Sequence, residues 1–495
     1  MKRLDYVIEA TSEYIKRMPK SQRKKYGQFF ISKEIANFMA ELFTVPQGRR
    51  SISVLDPGAG SGILSIALLD RLETIEAIES VELICYENDS NIIELLESNM
   101  EWVCTHTMKN VSCRVVTDNY ILSQSRAYNH MMNVGEYLPK YDMIIGNPPY
   151  MKIAKDSAEA VAMSDICYGT PNLYFLFASM SLFNLKDHGE MVYIIPRSWT
   201  SGAYFKRFRE NIFTHGVLEH IHLFESRDKV FKKEHILQEI IIIKMKKTDK
   251  KPKKICITTT KNSTEFSKKT VFEASYATVV NSRDSYVYLI TNVEDAQNLK
   301  RLKRWKNTLP DIGLKMRTGL TVDFRNRTAL RDLPEENTVP LFYSQHIREG
   351  KIIFPLGRKC EYITTGQNTL LQRNENYLFV KRFTAKEERR RLQCGVYLAR
   401  RYPKYTEIST QNKINFICGL RELSECVVYG LYVLFNSTLY DCYYRILSGS
   451  TQVNATEINA MPVPSIEVIE LMGKELMEAR SMSETICDTI LQNYI

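Results

Sequence analysis

The chain has 495 residues, 44% of them hydrophobic, with 67 Lys+Arg against 57 Asp+Glu and a net charge of +10. That length exceeds what one core usually organises and the apolar fraction is that of folded protein, so two or three globular domains are expected and a disordered chain is excluded. The charge is uneven: residues 201–450 hold 45 basic and 26 acidic residues, an excess that points to a polyanion, with nucleic acid the first suspect.

The N-terminal MKRLDYVIEATSEYIKRMPK has charges throughout and no apolar stretch of signal-peptide type, and the longest aliphatic run is only Ile240–Ile243, so no membrane association is expected. The 11 cysteines are scattered without a C-x-x-C pair. Neither a disulfide framework nor a metal site is indicated, and reduced thiols in the cytoplasm fit best.

In chain order, residues 5–18 read as an amphipathic helix stopped near Pro19, and Lys33–Phe43 as a second helix with Ser32 as its N-cap. Short β-rich runs then alternate with helical stretches: SISVLD and a helix from Ile63 to Leu72, VELICYE and Asn91–His106, then VSCRVVTD and YDMIIGNPPY. A helix over Tyr174–Leu185, GEMVYIIP, a helix over Ala203–Thr214, VLEHIHLF and QEIIIIKMKK follow. Strands alternating with helices predict an α/β, doubly wound, mostly parallel sheet of Rossmann-like type. The lysine-rich Lys246–Lys254 reads as a boundary, and beyond it β-prone pieces interleaved with Arg/Lys clusters predict a basic α+β domain. The expected domains are an N-terminal helical segment (1–25), a catalytic domain (26–248), a basic domain (255–464) and a C-terminal helix (465–495).

In VLDPGAGSGILSIALL a strand runs into Asp56 and Pro57, then Gly58, Ala59, Gly60 and Gly62 open a helix. Glycines here remove the side chains that would hold a ligand off the turn, and Asp56 can bond a cationic or hydroxyl group. Many α/β folds use such a turn only structurally, so the context decides. The next strand ends in Glu87 and Asn88, where a doubly wound fold places the carboxylate that receives two ribose hydroxyls; the third ends in Asp118 and Asn119, within reach of an adenine amino group. Three acids at three strand ends read as a nucleoside site. No lysine-bearing phosphate loop is present, which disfavours ATP hydrolysis.

The fourth strand ends in Asn147, Pro148, Pro149 and Tyr150. The prolines fix the backbone and withhold N–H donors, leaving carbonyl oxygens free to accept. An amino group conjugated to a ring is a poor nucleophile. If Asn147 Oδ1 and the Pro148 carbonyl each accept one of its hydrogens, its lone pair is released, while Tyr150 can stack on the ring.

Together, DPGAGSG and NPPY resemble the S-adenosylmethionine-dependent amino-methyltransferases. Their order after GQFFISKEIANFM resembles the γ class of N6-adenine DNA methyltransferases, of which the TaqI enzyme is the type. Asn172–Tyr174 and Gly189–Pro196 match further motifs of that class, and the matches span roughly residues 20–245. The resemblance implies that Tyr26, Gly27, Ser32, Asp56, Pro57, Gly58, Ala59, Gly60, Glu87, Asn88, Asp118, Asn119 and Asn147 hold S-adenosylmethionine. It implies that Asn147–Tyr150 are catalytic and that Phe231 faces Tyr150 across the target base. One departure stands out: Ile31 and Ser32 occupy the place of the type pattern's threonine. A base inside a duplex cannot reach a cofactor held in a protein cleft, so the target adenine is expected to flip out; no metal is needed.

The second half suits duplex DNA in RLKRWK, MRTGLTVDFRNR, KRFTAKEERRR and ARRYPKY, although a solvated helix face explains KEERRR about as well. Candidate DNA contacts are Arg317, Arg325, Arg327, Lys381, Arg382, Gln452 and Asn454; Gln452, Asn454 and Asn459 also fit loop and capping roles. Leu434–Pro464 resembles the target-recognition domains of the PstI/BsuBI group of type II modification methylases, which would imply a CTGCAG target and a cognate restriction endonuclease encoded separately. A monomer is expected. The alternatives are methylation of RNA adenines or of a protein glutamine, or a catalytically silent DNA-binding subunit.

Overall fold

Five strands that alternate with helices in the sequence lie side by side: β1 (Ser51–Pro57), β2 (Ser80–Tyr86), β3 (Asn110–Val116), β4 (Tyr141–Gly146) and β5 (Leu185–Pro196) pair in parallel in the order β3-β2-β1-β4-β5. The computed structural model describes residues 2–17, 31–45, 48–133, 135–224, 240–282, 284–366, 368–385, 387–448 and 451–495. The chain divides into two units, Met1–Thr200 with Tyr204–Thr291 and Ser201–Ala203 with Asn292–Ile495.

In the first unit the sheet continues past β5 through β7 (Ile240–Lys246), which is antiparallel to both β5 and β6 (Val217–Phe224). Its helices are α1 (Arg3–Arg17), α2 (Lys33–Glu41), α3 (Ile63–Glu73), α4 (Ser90–Thr105), α5 (Tyr120–Tyr128), α6 (Ala158–Ala162), α7 (Leu173–Asn184), α8 (Lys206–His215) and α9 (Tyr276–Val279). Both sheet faces are covered. Val54, Leu83, Met143 and Val192 share a core with α1–α4, while Leu55, Ile84, Ile144 and Tyr193, in the alternate register, are equally buried, and the Tyr193 hydroxyl lies 2.6 Å from Ser181 Oγ on α7. Helix α7 is apolar nearly all round and buries 9 of its 12 residues, as such a helix must. The expected doubly wound, mostly parallel sheet is what forms.

Two expectations are corrected. The sheet does not stop at Lys246–Lys254: β8 (Lys254–Thr260) pairs in parallel with β6, and β9 (Thr270–Ser275) pairs antiparallel with β8. The lysine-rich piece is a turn rather than a linker, and Lys247 Nζ donates to the carbonyls of Phe183 (3.0 Å) and Leu185 (2.8 Å) at the C-terminal end of α7. Nor is α1 a separate segment. Tyr6 stacks on Trp102 of α4 at 3.9 Å, and Arg3 pairs with Asp70 (2.7 Å) and Glu73 of α3.

The second unit is α+β. One sheet has the order β10 (Leu314–Thr318), β20 (Ile414–Gly419), β17 (Tyr377–Lys381), β18 (Cys394–Tyr397), β14 (Lys351–Ile352), β13 (Ile347–Arg348). The other is β11 (Leu330–Arg331), β15 (Tyr362–Thr364), β12 (Thr338–Phe342), β19 (Glu407–Thr410), β16 (Gln372–Arg373). Its helices are α10 (Val293–Leu302), α11 (Glu425–Asn436), α12 (Thr438–Leu447), α13 (Ala455–Asn459), α14 (Ile466–Ala479) and α15 (Glu484–Gln492). The expected C-terminal helix is thus a pair, turned at Arg480 with φ +53°. Helices α11 and α14 cross at two glycines: a Cβ on Gly430 would sit 1.8 Å from Ile469 O, and one on Gly473 1.8 Å from Cys426 O. Among the described residues no helix is long and apolar enough to cross a membrane.

Candidate active site

The site is built on the C-terminal ends of β1 to β4. After β1 the backbone turns through Gly58, Gly60 and Gly62 at φ +79°, +58° and +86°, a region that disfavours side chains. At Gly62 a Cβ would also meet Met100 Cε at 2.3 Å. The turn is fastened to β2: the N–H groups of Gly58 and Ala59 donate to Tyr86 O at 2.8 and 2.9 Å. Glu87 continues the fastening, its Oε2 accepting from Gly60 N and its Oε1 from Asp89 N, both at 2.9 Å. Burial raises its pKa against the pull of those N–H groups. Asp56 lies beneath the turn, 1% exposed, with Oδ2 accepting from Ser65 Oγ at 2.7 Å and Oδ1 without a hydrogen-bond partner among the described residues. Burial, more than the nearby Glu87 charge, pushes its carboxyl up to about 7.

At the end of β3, Asp118 is exposed and Asn119 caps α5, its Oδ1 accepting from Leu122 N at 3.1 Å while its Nδ2 donates to Glu159 Oε1 at 2.8 Å. At the end of β4 the Tyr150 hydroxyl lies 2.7 Å from Asn147 Oδ1 and 2.9 Å from Ile194 O, two acceptors for its single proton. Burial holds that phenol well above its ordinary pKa. Asn172 caps α7 through Tyr174 N (3.3 Å), and the Tyr174 ring meets Tyr150 edge-on at 6.4 Å.

These ends enclose a cleft of about 400 Å³. Of the sequence-derived residues, Gly58, Ala59, Gly60, Glu87, Asn88, Asp118, Asn119, Asn147 and Pro149 line it. Asp56, Pro57, Pro148 and Tyr150 are not among the residues that line it, nor is Ser32, whose Oγ accepts from Ile35 N (3.4 Å) as the expected N-cap while its neighbour Ile31 lines the cleft. Tyr26, Gly27 and Phe231 fall outside the described residues. Asp89, Met151, Glu159 and Phe177 also line the cleft and were not foreseen. Asp89 had a signal, since it is the N-cap of α4; the segment holding Met151 and Glu159 has no periodicity to read.

Residues 72–231 match the family model described as Eco57I restriction-modification methylase. The type II methyltransferase M.PstI of Providencia stuartii is 31% identical over 92% of this chain and 90% of its own, and M.BsuBI of Bacillus subtilis is 33% identical over 92% and 91%. The chain belongs to the type II restriction-modification methyltransferases. Among solved structures, the DrdV–DNA complex shares the fold with a TM-score of 0.52 at 13% identity, covering 93% of this chain and 58% of that one.

In this methyltransferase the basic residues of the second unit are sorted by the fold. Arg317, Arg325 and Arg327 are exposed, with Arg325 over the exposed Phe324 ring at 5.5 Å. Lys381 donates to Gln393 Oε1 (2.9 Å), and Arg382 to Asn412 O (3.0 Å) and Gln452 Oε1 (3.5 Å). Asn454 occupies the N-cap position of α13 without a capping bond. In the Arg389–Arg391 run, Arg389 is exposed but pairs with Glu484 at 2.6 Å, Arg390 is largely covered and pairs with it at 3.0 Å, and Arg391 is 1% exposed. Asn459 is structural, exchanging hydrogen bonds with the Met316 backbone at 2.8 and 3.0 Å.

Proposed function

We propose that the chain methylates the N6 of an adenine flipped out of duplex DNA, with S-adenosylmethionine as donor. The observation that carries this reading is the chemistry of the cleft wall. It presents Glu87, Asp89, Asp118 and Glu159 and, among the described residues, no lysine or arginine. Such a wall repels phosphate and suits a nucleoside bearing a sulfonium and an ammonium. The glycine turn leaves open space at Gly60, where a Cβ would meet nothing within 4 Å.

Glu87 and the 118–119 strand end would hold the nucleoside. S-adenosylmethionine held there would supply an electrophilic methyl group with a neutral thioether as its leaving group. Asn147 Oδ1 and the Pro148 carbonyl accept the two amino hydrogens, draw the nitrogen out of conjugation and stabilise the charge that develops on it. The exposed arginines of the second unit grip phosphates. The resemblance of Leu434–Pro464 to the PstI/BsuBI group makes CTGCAG the target we propose, with a separately encoded cognate endonuclease and the chain acting as a monomer in the bacterial cytoplasm.

Purified protein should transfer labelled methyl to CTGCAG duplex in preference to RNA or protein acceptors, and Asn147→Ala should abolish transfer while cofactor binding survives. Transfer persisting in that variant, or a preference for RNA or protein, overturns the reading.

A further inference from the structure

Glu159 is an acid of the cleft wall that neither a strand end nor the NPPY turn accounts for. It stands in the first turn of α6, on the chain between Tyr150 and Asn172. That segment is tied to α5, with Asn129 Nδ2 donating to Ala162 O and the Tyr128 hydroxyl to Asp165 Oδ2, both at 2.9 Å. Glu159 is therefore mounted on packed structure.

The one hydrogen-bond partner of its carboxylate among the described residues is Asn119. The bond fixes the Asn119 amide, because the oxygen is committed to the N-terminus of α5 and the nitrogen to Glu159 Oε1. Glu159 Oε2 is left with its acceptor capacity intact, on a half-buried side chain in a wall without a cation. A carboxylate oxygen in that setting gains from a ligand that brings a donor. The strand order says which part of the ligand that is. Reading the sheet as β4-β1-β2-β3, Asn147 marks the reacting end, Glu87 the sugar, and the Asn119–Glu159 pair the end occupied by the base.

We propose that Glu159 is a specificity-determining residue for the cofactor, its Oε2 accepting a hydrogen from the exocyclic amino group so that the cleft selects a 6-amino over a 6-oxo purine. The inference rests on the cofactor reading above and adds to it a residue outside the strand ends.

Calorimetric titration of the full chain with S-adenosylhomocysteine and with S-inosylhomocysteine, for wild type and Glu159→Gln, tests it. Glutamine keeps an acceptor for Asn119 and turns an N–H donor toward the ligand. The wild type should favour the adenosyl ligand, and Glu159→Gln should lose about tenfold of that preference, the worth of one charge-assisted bond, with its melting temperature unchanged. An equal preference in both proteins overturns the inference, and so does an equal loss of affinity for both ligands, which marks a merely structural role. A wild type that binds neither ligand overturns the cofactor reading instead. Should Glu159→Gln fail to fold, Glu159→Asp, which withdraws the oxygen by one methylene, must narrow the preference as well; an unchanged preference there overturns the inference.

Discussion

Tyr150 was expected to act through its ring, yet its hydroxyl is engaged with Asn147 Oδ1, the atom assigned to the amino group. A carbonyl oxygen has two lone pairs, so the bond orients Asn147 without using it up. Tyr150→Phe keeps the ring and removes the bond. It should lower kcat about tenfold, one hydrogen bond's worth, and leave cofactor affinity within about twofold, read by steady-state methyl transfer and calorimetry; an unchanged kcat would assign the bond no part in positioning. Asp56 makes a second prediction. Burial pushes its folded-state pKa up to about 7, well above the ordinary carboxylate value of about 4, so between those values the folded protein keeps a proton that the unfolded chain has released. Its contribution to stability is present below pH 4 and lost as pH rises through 7. Urea unfolding at pH 5 and pH 8 should show a loss on the order of 2–3 kcal/mol larger in wild type than in Asp56→Asn; equal losses would refute it. The strand-end residues were legible because a strand followed by a turn fixes where a side chain goes. That Asp56 lies under the turn and not in the cleft depends on the Ser65 contact, which spacing cannot show.

At the scale of elements, the strands from β1 to β7 were readable because each is long enough for its period to repeat, whereas the helix α5 between β3 and β4 was not foreseen. Strands β8 and β9 were missed because a run of lysines resembles a linker, and only the fold shows Lys247 closing the end of α7. In the second unit several strands are two to five residues long, and β10 pairs with β20, Leu314 opposite Gly419. No local pattern encodes such a pairing. The α11–α14 crossing is equally hidden, since Gly430 and Gly473 inside helices would be read as weak points. Gly430→Ala drives a methyl against the Ile469 carbonyl, a backbone atom that cannot swing aside. It should destabilise by about 2 kcal/mol or more, seen as a lower thermal midpoint, although Ala is the better helix former. Cofactor affinity at 25 °C should be unchanged, because the described residues that line the cleft all belong to the first unit. A raised midpoint would mean the helices separate at little cost.

For the whole molecule, dividing the charge by fold changes its meaning. The first unit holds 38 Lys+Arg against 34 Asp+Glu and the second 29 against 23, so the excess over residues 201–450 is shared by both. Part of it belongs to the β7–β8 turn, and part is neutralised within the second unit, where Glu484 of α15 takes Arg389 and Arg390. What remains for phosphate is set by orientation. Arg325 and Arg327 are exposed, with no ion pair to an acid among the described residues, whereas Arg389 is exposed but already paired. Each phosphate contact contributes close to one unit to the slope of log affinity against log salt concentration. The Arg325→Ala, Arg327→Ala double variant should therefore weaken duplex binding and flatten that slope by about 2, while Arg389→Ala should leave the slope as it is, since Glu484 keeps Arg390. Fluorescence-anisotropy titrations from about 50 to 200 mM salt, over which log affinity falls linearly with log salt concentration, compare the two directly. A slope that falls with Arg389 and not with Arg325 and Arg327 would place the phosphate contacts on the Arg389–Arg391 run and would mean that its pairing with α15 opens when DNA binds.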